Sequence, residues 1–246
     1  MNLTWLFDYD DTLVPCCEDY SQAQLDFVQW TIKTLGRKAP QASLIMSTYE
    51  GIDQGLVPFM GFTMERFPTA FRNAFQTICQ KIGFPFSEEH LTQAYEIGMS
   101  VYNPTRARER GLLPGAAETL DFLLSQEDHL ILVTKGDPRP QQPKIEATEM
   151  KRWFGDHIHV VPEKDAALFL RLLDGQEARN AWKVGNSIRS DVLPALEAGL
   201  NVAYIPHETW IFEAAHDGLP KHPCLHTFAD ILEIKERYDT LCTPNP

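Results

Sequence analysis

Short apolar runs of the length that buried strands have occur near the N-terminus and again through the second half of the chain. They lie at residues 3–7, 130–133, 157–161, 182–184 and 202–205. Apolar residues at helical spacing predict helices beside these runs, at 116–124, 144–153, 165–173 and 191–198. Alternating strands and helices are typical of a parallel sheet with helices on both faces. The pattern therefore predicts an α/β fold with a Rossmann-like sheet.

Between residues 18 and 102 the pattern changes to helical periodicity, and no convincing strand appears. Three apolar stripes are predicted to form the interior of a small helical bundle: Leu25, Val28, Ile32 and Leu35; Phe67, Phe71, Ala74, Phe75 and Ile78; Leu91, Tyr95, Met99 and Tyr102. The pattern at 41–55 is weaker because Gly51 and Gly55 interrupt it.

We expect a core formed by 1–14 and 111–246, with an all-helical domain inserted at 15–110. In the tail we expect an edge strand at 225–228, a helix at 229–238 and a frayed end at 244–246.

The first apolar run leads directly into an acidic cluster. Asp8, Asp10 and Thr12 alternate along an extended segment, so their side chains share a face. Carboxylates beside a buried strand are costly unless a cation or hydrogen bonds compensate them. The cluster therefore indicates a divalent cation site.

Three later strands end in residues of complementary chemistry. Thr134, Lys135 and Gly136 follow the second strand, and a hydroxyl, a cation and a glycine suit a phosphate site.

Lys164 follows the third strand at the start of a helix, where a bound anion would offset the unfavourable helix dipole. We prefer Lys164 to Lys144 as the lysine of the site, because Lys144 is predicted to lie within a helix that no strand precedes. The fourth strand is followed by Gly185-Asn186-Ser187-Ile188-Arg189-Ser190-Asp191. Ligands of such sheets bind at the carboxyl ends of the strands, where strand order reverses.

These four segments, in this order, resemble the motifs of the haloacid dehalogenase-like (HAD) phosphohydrolase superfamily. The resemblance covers about residues 1–13 and 114–206, and a helical insert between the first two motifs resembles a C1 cap. It implies that Asp8 attacks phosphorus, that Asp10 is the general acid and base, and that Thr134, Lys135 and Lys164 bind the phosphoryl group. It also implies a Mg²⁺ site at Asp8, the backbone carbonyl of Asp10 and either Asn186 or Asp191. Asn186 stands where the family usually has an aspartate, which reduces the charge available to the cation.

The resemblance implies Mg²⁺-dependent hydrolysis of a small phosphomonoester through an aspartyl-phosphate. A phosphonate hydrolase or a phosphomutase of the same superfamily stays open, as does a non-catalytic binding or regulatory module, since Asn186 departs from the pattern. A haloacid dehalogenase is disfavoured because Asp10 has no role without phosphate. The residues of the helical insert do not name a substrate.

The charge and composition of the chain limit the classes of binding partner that we expect. The 246 residues carry a formal charge of −12, which disfavours nucleic acid and anionic membranes as partners. Five cysteines without metal-ligand spacing, no apolar run long enough for a bilayer and no recognisable secretory signal lead us to expect a cytoplasmic protein with reduced thiols. We expect a small phosphorylated metabolite as substrate, and the oligomeric state stays open.

Overall fold

The computed structural model describes residues 2–207 and 218–242, so the predicted frayed end at 244–246 lies outside the described residues. The chain divides into two compact units, a core formed by Met1–Cys16 and Thr105–Pro246 and an inserted unit formed by Cys17–Pro104. None of the helices in the described ranges has both the length and the apolarity that a membrane crossing requires.

The core is built on one sheet of six parallel strands. The strands are β1 (Thr4–Phe7), β2 (His129–Lys135), β3 (Ile158–Val161), β4 (Ala181–Gly185), β5 (Asn201–Tyr204) and β6 (Leu225–Thr227). Their order is β3-β2-β1-β4-β5-β6, and every neighbouring pair is parallel. The chain therefore moves outward from β1 on one side and then from β4 on the other, so strand order reverses between β1 and β4. The predicted fold class is confirmed, including the edge strand in the tail.

The inserted unit contains helices and no strand among its described residues. Its longer helices are α1 (Cys17–Leu35), α2 (Ala42–Met60), α3 (Arg66–Ile82) and α4 (Glu88–Met99). The α3 stripe is buried as predicted, and Phe71 stacks on Phe27 of α1 with ring centroids 4.4 Å apart. The prediction for α1 is partly wrong, because Leu25 and Ile32 are 57% and 39% exposed. Val28 and Leu35 are buried as predicted, and Phe27, which was not in the predicted stripe, is buried beside them. The weak pattern at 41–55 belongs to α2, which continues through both glycines.

The remaining helices belong mainly to the core. They are α5 (Pro104–Arg110), α6 (Ala116–Ser125), α7 (Pro138–Ala147), α8 (Lys151–Phe154), α9 (Ala166–Leu172), α10 (Leu193–Glu197), α11 (Leu232–Glu236) and α12 (Tyr238–Leu241). A π-helical turn at Ile188–Val192 precedes α10, so the helix predicted at 191–198 starts earlier and in another form. The helix predicted at 229–238 is two short helices.

The prediction of one helix at 144–153 is wrong in a way that matters for the site. Helix α7 begins at Pro138, directly after β2, with Asp137 as its N-cap. Proline fits the first turn of a helix, because the amide hydrogen it lacks has no partner there. The helix ends at residue 147, and Glu149 has a positive φ of 56° before α8 begins. Lys144 therefore lies on the helix that follows β2, contrary to the reasoning from sequence.

Alternation along the strands divides the core between the two faces of the sheet. Trp5 and Phe7 of β1 pack with α6, α8 and the tail helices on one face. Leu6 packs on the other face with α9 and α10. Register pairs Leu6 with Ile131 of β2 and with Lys183 of β4, so a lysine lies on this second face among apolar neighbours.

Candidate active site

Asp8 continues β1 by one residue at the point where strand order reverses. Its backbone N–H donates to the carbonyl of Val184 in β4 at 2.9 Å. Side chains two residues apart in a strand share a face, so the Asp8 carboxylate lies on the same face of the sheet as Leu6. The side chain is buried. The sheet therefore fixes a carboxylate at the crevice where ligands of open α/β sheets bind.

Lys164 reaches this carboxylate from the end of β3. It precedes α9, whose N-cap Asp165 accepts a hydrogen bond from the Leu168 amide at 2.7 Å. The Lys164 ammonium donates to Asp8 Oδ1 at 2.6 Å and to Asp191 Oδ1 at 2.8 Å. All three side chains are buried. One lysine thus joins the carboxylates that follow two different strands.

Asp191 is held by donors on both of its oxygens. Oδ1 lies 2.8 Å from the Lys164 ammonium and 2.9 Å from the Lys183 ammonium, and Oδ2 accepts from the Ser187 amide at 3.1 Å. A Cβ atom at Gly185 would overlap the Asp191 carboxyl group, which explains the glycine before Asn186. Asp191 is completely buried.

Lys183 is a site residue that the sequence analysis missed. It is completely buried in the middle of β4, and its ammonium donates to the carbonyl of Val184 at 2.9 Å as well as facing Asp191. Burial lowers the pKa of Lys183, although the attraction of Asp191 opposes the shift. The available signal was a lysine inside an otherwise apolar strand, directly before the fourth strand-end motif. We refer to Asp8, Lys164, Lys183 and Asp191 as the inner quartet.

The inner quartet contains two acids and two lysines, so its formal charges cancel. Burial, together with repulsion from Asp191, raises the pKa of Asp8 to about 6, although the two lysines pull it down. Burial also acts to raise the pKa of Asp191, but Lys164 and Lys183 outweigh it and hold that pKa well below its ordinary value. Asp191 therefore favours its ionised form and pairs with both lysines.

Asp10 lies in a second group with Thr134, Gln141 and Lys144, which we call the Asp10 cluster. The Lys144 ammonium forms an ion pair with Asp10 Oδ1, and the Gln141 amide donates to Asp10 Oδ2 at 2.6 Å. Burial acts to raise the pKa of Asp10, but the charge of Lys144 and the hydrogen bonds with Lys144, Gln141 and Cys16 outweigh it and lower the pKa. The structure thus places Lys164 on Asp8 and Lys144 on Asp10.

Thr134 and Lys135 end β2 and point to different partners. The buried Thr134 hydroxyl lies 3.0 Å from the Gln141 amide nitrogen, while the Lys135 ammonium donates to Ser190 Oγ at 2.8 Å and lies 3.9 Å from the Glu163 carboxylate. Gly136 then turns the chain with a φ of 148°, a value that residues with a side chain rarely adopt. The predicted hydroxyl, lysine and glycine therefore all lie at the end of β2.

Asn186 is joined to the loop after β1. Its amide oxygen lies 3.4 Å from the Thr12 hydroxyl, and it is buried. The Asp8 carboxylate, the Asp10 carbonyl and the Asn186 amide are hard oxygen donors of the kind that Mg²⁺ accepts, so the predicted donor set fits such an ion in its chemistry. Asp191 fits less well as a direct ligand, because lysines and a backbone amide already engage its oxygens.

Comparison with known proteins identifies the architecture. No protein-family model and no curated protein matches the sequence. Solved structures match over nearly the whole chain. A haloacid dehalogenase-like family hydrolase from Xanthomonas campestris has a TM-score of 0.75 at 22% identity, covering 98% of this chain and 91% of that one. The chain adopts the HAD fold.

Other structures with the HAD fold also match this chain, and their names describe different activities. A protein described as HAD-hydrolase YfnB from Bacillus subtilis, solved with magnesium bound, has a TM-score of 0.56 at 19% identity, covering 99% of this chain and all of that one. A 2-haloacid dehalogenase from Pseudomonas syringae has a TM-score of 0.60 at 17% identity, covering 98% and 99%. The fold alone therefore does not establish which chemistry this chain performs.

Proposed function

We propose that this protein is a Mg²⁺-dependent phosphohydrolase that releases phosphate from a small phosphorylated metabolite through an aspartyl-phosphate on Asp8. The observation that carries the proposal is the hydrogen bond from Lys164 to Asp8 at the reversal of strand order. A buried lysine on a buried carboxylate can neutralise charge where a phosphoryl group would be transferred. The formal charge of −12 favours a small anion that binds local lysines over nucleic acid or a membrane.

The residues of the two clusters supply the chemistry of both steps. A carboxylate oxygen of Asp8 attacks phosphorus, the ester P–O bond breaks, and the leaving oxygen takes a proton from Asp10. In the second step Asp10 accepts a proton from water, whose oxygen attacks phosphorus and displaces Asp8 as a carboxylate. Thr134, Lys135 and Lys164 bind the phosphoryl oxygens. Because the pKa of Asp10 is lowered, its ionised form, which the second step needs, predominates, and the first step favours substrates with good leaving groups.

Mg²⁺ belongs to the proposal because its donors are present. Asp8, the backbone carbonyl of Asp10 and Asn186 would hold the ion, with Asp191 placed to anchor the lysines. When bound, the cation neutralises the phosphoryl oxygens and favours attack by a carboxylate. The magnesium in the YfnB structure supports this choice, since that protein has the same fold.

A second candidate is hydrolysis of a carbon–halogen bond. The inner quartet balances its own charges without a cation, which suits an Asp8 that attacks carbon, and one structural relative is named as a 2-haloacid dehalogenase. We rank it below the phosphohydrolase because Asp10 and Thr134 then have no evident role. A phosphomutase or a phosphonate hydrolase would use the same inner residues, and a non-catalytic binding module would keep the pocket without turnover.

A single panel of assays separates these candidates. Purified wild type is tested for phosphate release from p-nitrophenyl phosphate and phosphorylated metabolites, for phosphate release from phosphonates, and for halide release from 2-haloacids, each with Mg²⁺ or with EDTA. We expect Mg²⁺-dependent phosphate release from esters that Asp8→Asn abolishes. Asp11→Asn is the matched control: it makes the same chemical change nearby, and asparagine tolerates the positive φ of 57° at that position. Halide release, or no turnover on any substrate, would contradict the proposal.

A further inference from the structure

The side-chain amide of Gln141 lies between the two groups that the sequence motifs bring to the site from β1 and β2. Its nitrogen donates to Asp10 Oδ2 at 2.6 Å and to Thr134 Oγ1 at 3.0 Å. Gln141 and Thr134 are buried. Nothing in the sequence marks Gln141 as a site residue, since a glutamine in a helix belongs to no motif.

The chemistry of the partners fixes which way the amide and the hydroxyl point. An ionised carboxylate only accepts hydrogen bonds, so the NH₂ group of Gln141, and not its carbonyl oxygen, must face Asp10. The second hydrogen of the same NH₂ group then meets the Thr134 oxygen, which acts as an acceptor. A hydroxyl that accepts in this way keeps its own hydrogen for another acceptor. Thr134 is thereby oriented as a donor.

Helix α7 is built to present Gln141 in this position. Asp137 caps the helix directly after Gly136, whose positive φ turns the chain from β2 into the helix. Gln141 and Lys144 are three residues apart, so both side chains lie on the same helix face and reach the two oxygens of Asp10. The Lys144 ammonium also lies 5.2 Å from the centre of the Tyr9 ring. Each Asp10 oxygen thus has its own donor from α7.

We propose that Gln141 is a positioning residue that links Asp10 to Thr134 and directs the Thr134 hydroxyl hydrogen toward the bound phosphoryl group. This inference rests on the proposed phosphohydrolase function. Without the Gln141 donor, the Thr134 hydroxyl is free to donate to the Asp10 carboxylate or to the backbone. The phosphoryl group would then lose a hydrogen bond even though every residue that touches it remains.

The test compares Gln141→Met, which keeps the length of the side chain and removes both donors, with Gln142→Met. Gln142 is exposed on the same helix, so it controls for the change in residue type. Binding of inorganic phosphate in the presence of Mg²⁺ is measured by calorimetry, which needs no turnover. We expect Gln141→Met to weaken binding by roughly tenfold, the usual effect of losing one hydrogen bond to a charged group, and Gln142→Met to leave it unchanged.

A double-mutant cycle with Thr134→Val shows whether Gln141 acts through Thr134. If it does, the double variant binds phosphate no more weakly than Thr134→Val alone, whereas independent effects would multiply. If Gln141→Met does not fold, Gln141→Leu removes the same donors without adding a charge beside Asp10 and should give the same loss. Unchanged phosphate binding in the Gln141 variant, or losses that multiply, would overturn the inference.

These results separate the inference from the function on which it rests. A wild type that hydrolyses phosphate esters through Asp8, together with a Gln141 variant that binds phosphate normally, rejects only the role of Gln141. A wild type that neither hydrolyses phosphate esters nor binds phosphate rejects the proposed function, and the inference with it.

Discussion

Asp10 has a side chain that faces α7, because Lys144 and Gln141 engage both of its oxygens. Asp10 held in this way is ionised at neutral pH, so it is available to accept a proton, but little of the protonated form is present to donate one. Asp10 is therefore better prepared to accept a proton from water in the second step than to protonate the leaving group in the first.

Replacing Asp10 by asparagine tests whether this residue protonates the leaving group in the first step. General acid–base catalysis contributes a factor of about 10² to 10⁴ in rate, and an aryl phosphate needs little protonation of its leaving group. If breakage of the ester limits the rate, Asp10→Asn should slow an alkyl phosphate far more than p-nitrophenyl phosphate. Rates for both substrates, measured with wild type and variant, decide this. Equal losses would assign Asp10 to the second step or to the cation alone.

The amide at Asn186 gives a second prediction at the residue scale. An aspartate there would add a negative charge beside the predicted Mg²⁺ ligands, so Asn186→Asp should lower the Mg²⁺ concentration that gives half-maximal activity. Calorimetric Mg²⁺ titration of the same proteins gives a readout independent of turnover. The matched change Asn201→Asp, on β5, should leave both curves unaltered. A variant that binds Mg²⁺ no more tightly than wild type would place Asn186 outside the cation site.

At the scale of elements, β4 and the π-helical turn after it place Lys183 and Asp191 against each other without access to solvent. Asp191→Asn would leave two buried lysines with less compensation, and breaking a buried ion pair costs about 3–5 kcal/mol. The free energy of unfolding, measured with urea, should fall by this order. Adding Lys183→Met should recover part of the loss, because it removes one uncompensated ammonium. A double variant less stable than Asp191→Asn would contradict this account of the inner quartet.

The same elements show what the sequence could and could not predict. Strands and strand ends were predictable, because buried parallel strands form short apolar runs and the polar residues that follow them stand out. Lys183 was not found, since a single lysine in an apolar strand does not show that the turn after the same strand folds back to bring Asp191 against it. Helix α7 was placed too late because three prolines between 138 and 143 suggest a loop, although proline suits a first turn. Gln141 was missed with it.

At the scale of the whole molecule, partly buried histidines couple stability to pH. The His129 and His157 rings lie 4.4 Å apart across β2 and the start of β3, and burial, with the charge of His157, lowers the pKa of His129 below its ordinary 6.5. The unfolded state then binds the proton more tightly than the folded state. Stability from this residue is therefore complete above the ordinary pKa and is lost as pH falls through 6.5 toward the lowered value.

Thermal unfolding at several pH values checks this coupling. Between about pH 8 and about pH 5, the unfolding temperature of His129→Gln should fall less than that of wild type, because the variant has lost one group that favours the unfolded state in acid. Replacing the exposed His222 by glutamine is the control and should leave the pH dependence as in wild type. Identical slopes for wild type and His129→Gln would show that His129 does not contribute.

The central claim is that Asp8 becomes covalently phosphorylated, and mass spectrometry of the enzyme during turnover tests it most directly. Wild type is mixed with a phosphate ester and Mg²⁺, quenched in acid within the first turnovers and digested. The account predicts that the peptide containing Asp8 gains the mass of one phosphoryl group, and that Asp8→Asn shows no such peptide. Steady phosphate release with no adduct on Asp8, or with the adduct on another residue, would contradict it.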